Sequence, residues 1–421
     1  MREHELRRQV VSEMHLRRWP LLQLPVAVFQ WVLEVGPGER EAERSVLSAL
    51  CGSQSDEENP RHLSGALSGD VSFTWERQSE GSTLTVFCPG RAIEVLLAPG
   101  LDSSVGEAID WAETLPGAII RATSIWVGGD EAEVERALPA VDFNRSELVS
   151  CGLSGGVRIW SDFRIHPDGR GRLVVSAGEV DRSDLTRQLQ QLQELGNYRN
   201  KALLGLPVAQ EAWPRLDAAE RELAALAKAV TSSAASDDDL LAQLSDLSLE
   251  LSTIATSIDY RMNATAAYSR LVEERLAQLA PEPIRGFASL VDFTERRFLP
   301  AARTCAALTE RERQLTRRAR QISELLRARI ETRIENQNAK LLRSMERSTT
   351  MQVRLQQIVE GLSVVAVSYY AIGLLGYAIK GASHHFDWVD PEVAIALLVL
   401  PVLGCVWFAL HSLKKRVLGG D

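Results

Sequence analysis

Four side chains that can attract or ligate a cation form a cluster within one short stretch, SHHFDWVD (383–390): His384, His385, Asp387 and Asp390. In one chain they make a solvated turn. Repeated by symmetry in an oligomer, imidazole and carboxylate would form a ring that draws cations to a pore mouth. Asp237, Asp238 and Asp239 suit the first turn of a helix, where negative charge meets the positive end of the helix dipole; between subunits they could also join a metal sensor. A third pattern is made of small residues: Gly361, Ser363, Ala366, Ser368, Ala371, Gly373, Gly376 and Ala378 all fall between Glu360 and Lys380. Leu362, Ala366, Tyr369, Gly373 and Gly376 lie three or four apart, on one face of a helix. Such a face either lets helices pack closely or lines an ion path.

Other chemistry is not indicated. There is no P-loop and no GxGxxG; GLSGG (152–156) reads as a turn, and no Ser/His/Asp or Cys/His set has a known motif. His15 reads as a polar contact. The expectation is therefore a protein that is not an enzyme, with no catalytic residues, no cofactor and no assigned metal ligands. Cys51, Cys88, Cys151, Cys305 and Cys405 are widely spaced, which indicates neither a zinc site nor a disulfide framework and fits a reducing compartment. The basic stretch before Glu360 has no interleaved aromatics, so nucleic acid is not an expected partner.

The elements that would position these residues divide the chain of 421 residues. Residues 1–182 read as an α+β cytosolic domain: a buried strand at 26–35, a helix at 37–50, a polar loop at 53–65, two strands around Glu80-Gly81-Ser82, a helix near 101–113, a strand at 122–128, a short helix at 130–138 and a hairpin at 155–178 turned by Pro167-Asp168-Gly169. Strands bunched with few helices predict an antiparallel or mixed sheet. Residues 183–300 read as helical hairpins: a helix at 184–204 stopped by GLP (205–207), a second beginning at Pro214, and a third at 237–280. Residues 301–360 contain no Gly or Pro and predict one long coiled-coil-like stalk helix, with an apolar stripe through Leu308, Leu315, Ile322, Leu326, Ile330, Ile334, Leu341, Met345 and Leu355.

The stalk is expected to run unbroken into a first transmembrane helix at 361–379. An outer loop (380–392), a second transmembrane helix (393–413) and a basic cytosolic tail (414–421) follow. The spans hold nineteen and twenty-one residues without Lys, Arg, Asp or Glu, enough for a bilayer's hydrocarbon. Residues 301–358 carry 13 basic and 6 acidic groups, and Lys414, Lys415 and Arg416 follow the second span, whereas the loop between the spans is acidic. The positive-inside rule puts both termini in the cytoplasm. The N-terminus has no apolar segment of the signal-peptide kind. The expected partners are the lipid bilayer, further copies of the chain and a divalent cation.

Several stretches carry a resemblance: EMHLRRWP (13–20), FTWERQ (73–78), WAETLPG (111–117), WSDFRIHPDGRGR (160–172), NYRNKALLGLP (197–207) and RLQQIVEGLSVVAVSYYAIGLLGYAIKG (354–381). On these the chain resembles an uncharacterised family of predicted membrane-anchored bacterial proteins, domain of unknown function 3422. That resemblance implies the bacterial inner membrane. The family usually has a histidine after Trp-Glu-Arg, where this chain has Gln78. The order of parts is also similar to the CorA-type divalent-cation channels, which implies a pentameric ion channel or transporter; a membrane-anchored scaffold or sensor is the alternative. The CorA signature Gly-Met-Asn is replaced here by Gly376-Tyr377-Ala378.

Overall fold

The computed structural model describes residues 3–13, 18–51, 61–232, 236–383 and 391–418. The outer-loop residues His384, His385, Asp387 and Asp390, and also His15, lie outside them. The chain divides into two compact units, Met1–Ser323 and Glu324–Asp421.

A mixed nine-stranded sheet organises the first unit, in the order β2-β3-β4-β1-β5-β8-β7-β6-β9. The strands are β1 (Val26–Glu34), β2 (His62–Ala66), β3 (Ser72–Arg77), β4 (Gly81–Pro89), β5 (Ala118–Gly128), β6 (Val149–Gly152), β7 (Arg158–Ser161), β8 (Gly171–Ser176) and β9 (Glu282–Pro283). Strand β1 pairs antiparallel with both β4 and β5, and β5 pairs in parallel with β8. Central β1 is buried from Val26 to Leu33 because both sheet faces are covered. Ala27, Phe29, Trp31 and Leu33 enter one core with helices α2 (Arg40–Cys51), α3 (Ser103–Ala112) and α4 (Glu131–Ala137). Val26 and Val28 enter the other, with α5 (Arg182–Leu203) and α7 (Asp237–Leu279). The alternation of a strand is thus present, though both sets are apolar. A short helix α1 (Arg7–Glu13) precedes the sheet.

The α+β reading holds, and the expected elements of 26–178 recur with small shifts. Part of the expected polar loop at 53–65 is strand: His62–Ala66 pairs with β3 through its backbone, which polar side chains do not prevent. The GLP signal does not leave a gap in helix. Helix α6 starts at Gly205 and runs to Ser232, with Pro214 inside it. Pro207 falls in its first turn, where backbone N–H groups have no intrahelical partner to lose. Gly205 lets the chain turn tightly against α7, since a Cβ there would lie 2.2 Å from Thr265 Oγ1.

Helix α7 presents Leu240, Leu244, Leu247, Leu251, Ile254 and Ile258 at three- and four-residue spacing to its neighbours. After it, β9 extends the sheet at β6, a single turn α8 (Leu290–Phe293) is capped by Ser289, and a π-helical turn (Thr294–Phe298) leads into α9 (Leu299–Ser383). Helix α9 is continuous through the first apolar stretch. Its stripe divides. Leu308, Leu315 and Leu326 are buried, whereas Ile334, Leu341, Met345 and Leu355 are half or more exposed in the single chain. The second unit contains the rest of α9 and α10 (Pro391–Leu418), which keeps Pro401 inside it.

Candidate functional site

Two regions bear on function, one in each unit. In the first unit, a cavity of about 540 Å³ lies between β5, the 161–172 segment, α5 and the 290–298 turn. Two of the arginines that line it, Arg121 and Arg199, come from the middle of apolar elements. Arg121 interrupts the β5 run AIIRATSIWVG, next to a register shift in which Val32 pairs with Arg121 and Leu33 with Ile119. That leaves Ile120 as an extra residue, the kind of bulge that re-aims a neighbouring side chain. Arg199 lies on the core side of α5, where Leu185, Leu189 and Leu192 give way to Gln193, Gly196, Asn197 and Arg199.

Amides surround Arg121. Its Nη1 donates to Gln193 Oε1 at 2.7 Å and Asn197 Oδ1 at 2.8 Å, with a longer contact to Gln30 Oε1 at 3.4 Å. Asn197 Nδ2 donates to Gln30 Oε1, and Gln30 Nε2 to Thr85 Oγ1, tying the helix to the sheet. The guanidinium rests against the helix at Gly196, where a Cβ would stand 2.8 Å from its carbon. A glycine inside a helix weakens it, so this one has a packing reason. Burial, reinforced by repulsion from Arg199, pulls Arg121 down to about 9.

Rings surround Arg199. Its guanidinium carbon lies 4.7 Å from the centroids of both Phe163 and Phe293, which stack on each other at 4.4 Å. Only 6 % of Arg199 is exposed, its Nη1 has no hydrogen-bond partner, and burial lowers it to about 10. Phe163 holds φ at +51°, a left-handed conformation unfavourable for a residue with a Cβ. Asp162 supports that turn: its carboxylate accepts from the backbone N–H groups of Arg164 and Asn144 and meets His166 Nε2 at 3.2 Å. Strain held by its surroundings is a recurrent property of ligand sites.

Beside the cavity, Lys201 is fully buried. It donates to Gln78 and lies 5.6 Å from the Tyr268 ring centroid. Burial lowers it to about 8 against the opposing pull of Glu80 and Glu76. Position 78, where the family resemblance implies histidine, is therefore the acceptor for a buried ammonium. Two stretches quoted for that resemblance, 160–172 and 197–207, meet at this site.

A family model described as a protein of unknown function (DUF3422) matches residues 2–417. The chain belongs to the DUF3422 family. No curated protein and no solved structure matches it. The DUF3422 assignment covers both units and carries no stated activity.

The second region is the pair of helices in the second unit of this DUF3422 chain, both long and apolar enough to cross a membrane. Val364 and Ser368 of α9 are buried, and Ile395 of α10 reaches within 3.2 Å of where a Gly376 Cβ would be. Of the row named from spacing, Gly376 therefore faces α10. Leu362, Ala366, Tyr369 and Gly373 remain exposed, and nothing lies within 4 Å of a Gly373 Cβ. Tyr369 and Tyr370 contact each other edge to face at 5.9 Å while both stay exposed. Among the described residues no group of three or more His, Cys, Asp or Glu could hold a metal, and Cys88, Cys151, Cys305 and Cys405 are free thiols.

Sequence reasoning did not single out Arg121, Arg199 or Lys201. The available signal was polarity in the wrong place: one arginine inside an apolar strand, and Gln193 and Asn197 continuing by fours the stripe begun by Leu185 and Leu189.

Proposed function

We propose that this DUF3422 protein is a two-span, self-associating protein of the bacterial inner membrane. Both termini and the α+β unit face the cytoplasm, and 380–392 lies outside. It acts as a membrane-anchored scaffold or sensor and performs no enzymatic reaction. The observation that carries this reading is the open row. Val364 and Ser368 of α9 are buried and Gly376 meets Ile395 of α10, while Leu362, Ala366, Tyr369 and Gly373 are uncovered. Small residues on such a row favour close contact with a second helix, whereas a lipid-facing anchor has no use for them. The exposed stripe through Ile334, Leu341, Met345 and Leu355 supports the same conclusion, because apolar side chains on a charged helix need a cover. The test is cross-linking in native membranes with Cys405 replaced by Ser: Gly373→Cys should give disulfide-linked pairs and Val364→Cys should not. A chain that cross-links at neither position and is a monomer in mild detergent would overturn the reading.

Ion passage is the second reading. The open row faces away from α10 and includes Tyr369, so copies arranged around it would enclose an axis, as the CorA-like order of parts implies. A pentamer conducting a divalent cation would show flux in proteoliposomes. Absence of flux for Mg²⁺, Co²⁺, Ni²⁺, K⁺ and Cl⁻ leaves the scaffold or sensor.

A further inference from the structure

We propose that the cavity on α5 is a binding site for a small organic phosphate, with the phosphate between Arg199 and Arg121 and the organic part against Phe163, Phe293, Leu192 and Leu203. This supplies the ligand class for the sensor reading. It concerns the first unit alone, and it stands whether or not the spans self-associate.

Elsewhere the fold pairs its partly buried arginines with acids. Arg91 meets Asp70 and Asp102, Arg158 meets Glu131 and Glu135, Arg275 meets Glu194, and Arg311 meets Asp217 and Glu220. At the cavity Arg164 and Arg172 keep acidic neighbours, Glu147 and Asp168, but Arg121 and Arg199 do not. Among the described residues no Asp or Glu lines it, Arg121 is held by amides, and Arg199 lies over two rings. A buried guanidinium with an unpartnered nitrogen, repelled by the part-buried Arg121 beside it, is costly unless an anion arrives to satisfy it.

A carboxylate carries one charge and is satisfied by the fork of one guanidinium. A phosphate monoester carries up to two charges and three strong acceptor oxygens, and can be shared by two forks. Among the described residues, Arg121 spends only Nη1 on its amide partners and Arg199 makes no hydrogen bond, so a fork edge of each is uncommitted. Exposed Arg297 and half-buried Asn200 at the rim add further donors.

A volume of about 540 Å³ falls in the range of small-molecule sites and exceeds what an inorganic anion would fill. The apolar wall is formed by Phe163, Phe293, Leu192 and Leu203, with Arg199 lying over its two rings. The strained Phe163 contributes its ring to that wall, so the backbone distortion lies where a ligand would be gripped.

The test uses full-length protein in detergent, titrated calorimetrically with inorganic phosphate, ribose 5-phosphate, adenosine monophosphate and succinate. At least one organic phosphate should bind once per chain, more tightly than inorganic phosphate and with Kd below about 1 mM. Binding should weaken as pH falls through about 6, where the second phosphate proton returns. Arg199→Gln and Arg121→Gln should each weaken it at least about tenfold, while Arg187→Gln on the exposed side of α5 should not. Arg199→Lys, which keeps the charge without the fork, should retain part of the affinity; thermal melts of every variant separate lost binding from lost fold. The proposal is overturned if both organic phosphates fail to bind, if both inner arginine variants bind as well as the parent, or if succinate binds more tightly than either phosphate.

Discussion

Arg199 is a cation in an apolar place, facing two phenyl rings, with a nitrogen that has no hydrogen-bond partner. Cation–π contact returns on the order of 1–2 kcal/mol, less than the cost of a buried, unpaired charge. Arg199→Met should therefore be neutral or stabilising by roughly 1–3 kcal/mol in denaturant unfolding, although most core substitutions destabilise. A loss above that range would mean that Arg199 has a structural partner. Lys201 makes a different prediction, through pH. Its folded value lies near 8 against an ordinary 10.5, so between these limits the unfolded chain binds more protons than the folded one. Stability then rises with pH across that window, and the penalty is complete below it. Lys201→Met should remove this rise; melts at pH 7.5 and 10 that differ equally in parent and variant would contradict it.

Helix α5 joins sheet, cavity and bundle. Its apolar residues bury against β1, β5 and β8, and its second half replaces leucines with Gln193, Asn197, Arg199 and Lys201 without leaving the core side. Gly196 makes the arrangement possible. Alanine there gains about 1 kcal/mol of helix propensity but pushes on the Arg121 guanidinium at 2.8 Å. Because Gln193 and Asn197 hold that guanidinium, overpacking wins. Gly196→Ala should lower unfolding stability by about 1 kcal/mol and weaken organic phosphate binding; a more stable variant with unchanged binding would show that Arg121 is free to move. The start of α6 was misplaced for a related reason. Gly and Pro together signal a stop, yet in the first turn of a new helix neither costs a hydrogen bond, and contact with Thr265 holds the junction.

For the whole molecule, the prediction concerns association. A single chain leaves Leu341, Met345, Leu355, Leu362 and Tyr369 exposed along one helix. Lipid can cover the last two; the first three precede the span and need another protein surface. Leu341→Glu combined with Met345→Glu should disrupt the oligomer in mild detergent and leave the melting of the first unit unchanged. An oligomer that survives both charges would place the contact elsewhere on the helix.

Elements with a strong period were legible from residues alone. The absence of Gly and Pro from 301–360 and the uncharged stretches after it were enough to predict a helix running into an apolar span, because helix formation depends on local backbone hydrogen bonds and hydropathy. The β1 strand and the 155–178 hairpin were legible through β-branched runs and turn residues. The cavity was not, because it depends on pairing between distant segments. β5, the 161–172 loop, α5 and the 290–298 turn meet only once the sheet order and register are set, and no local rule says which arginine will lack a carboxylate. Sequence determined that the chain has a charged α+β part, a long helix and two apolar segments. Tertiary structure decided which cations are buried together and which side of the first apolar helix stays open, since both depend on which surface each element loses to its neighbours.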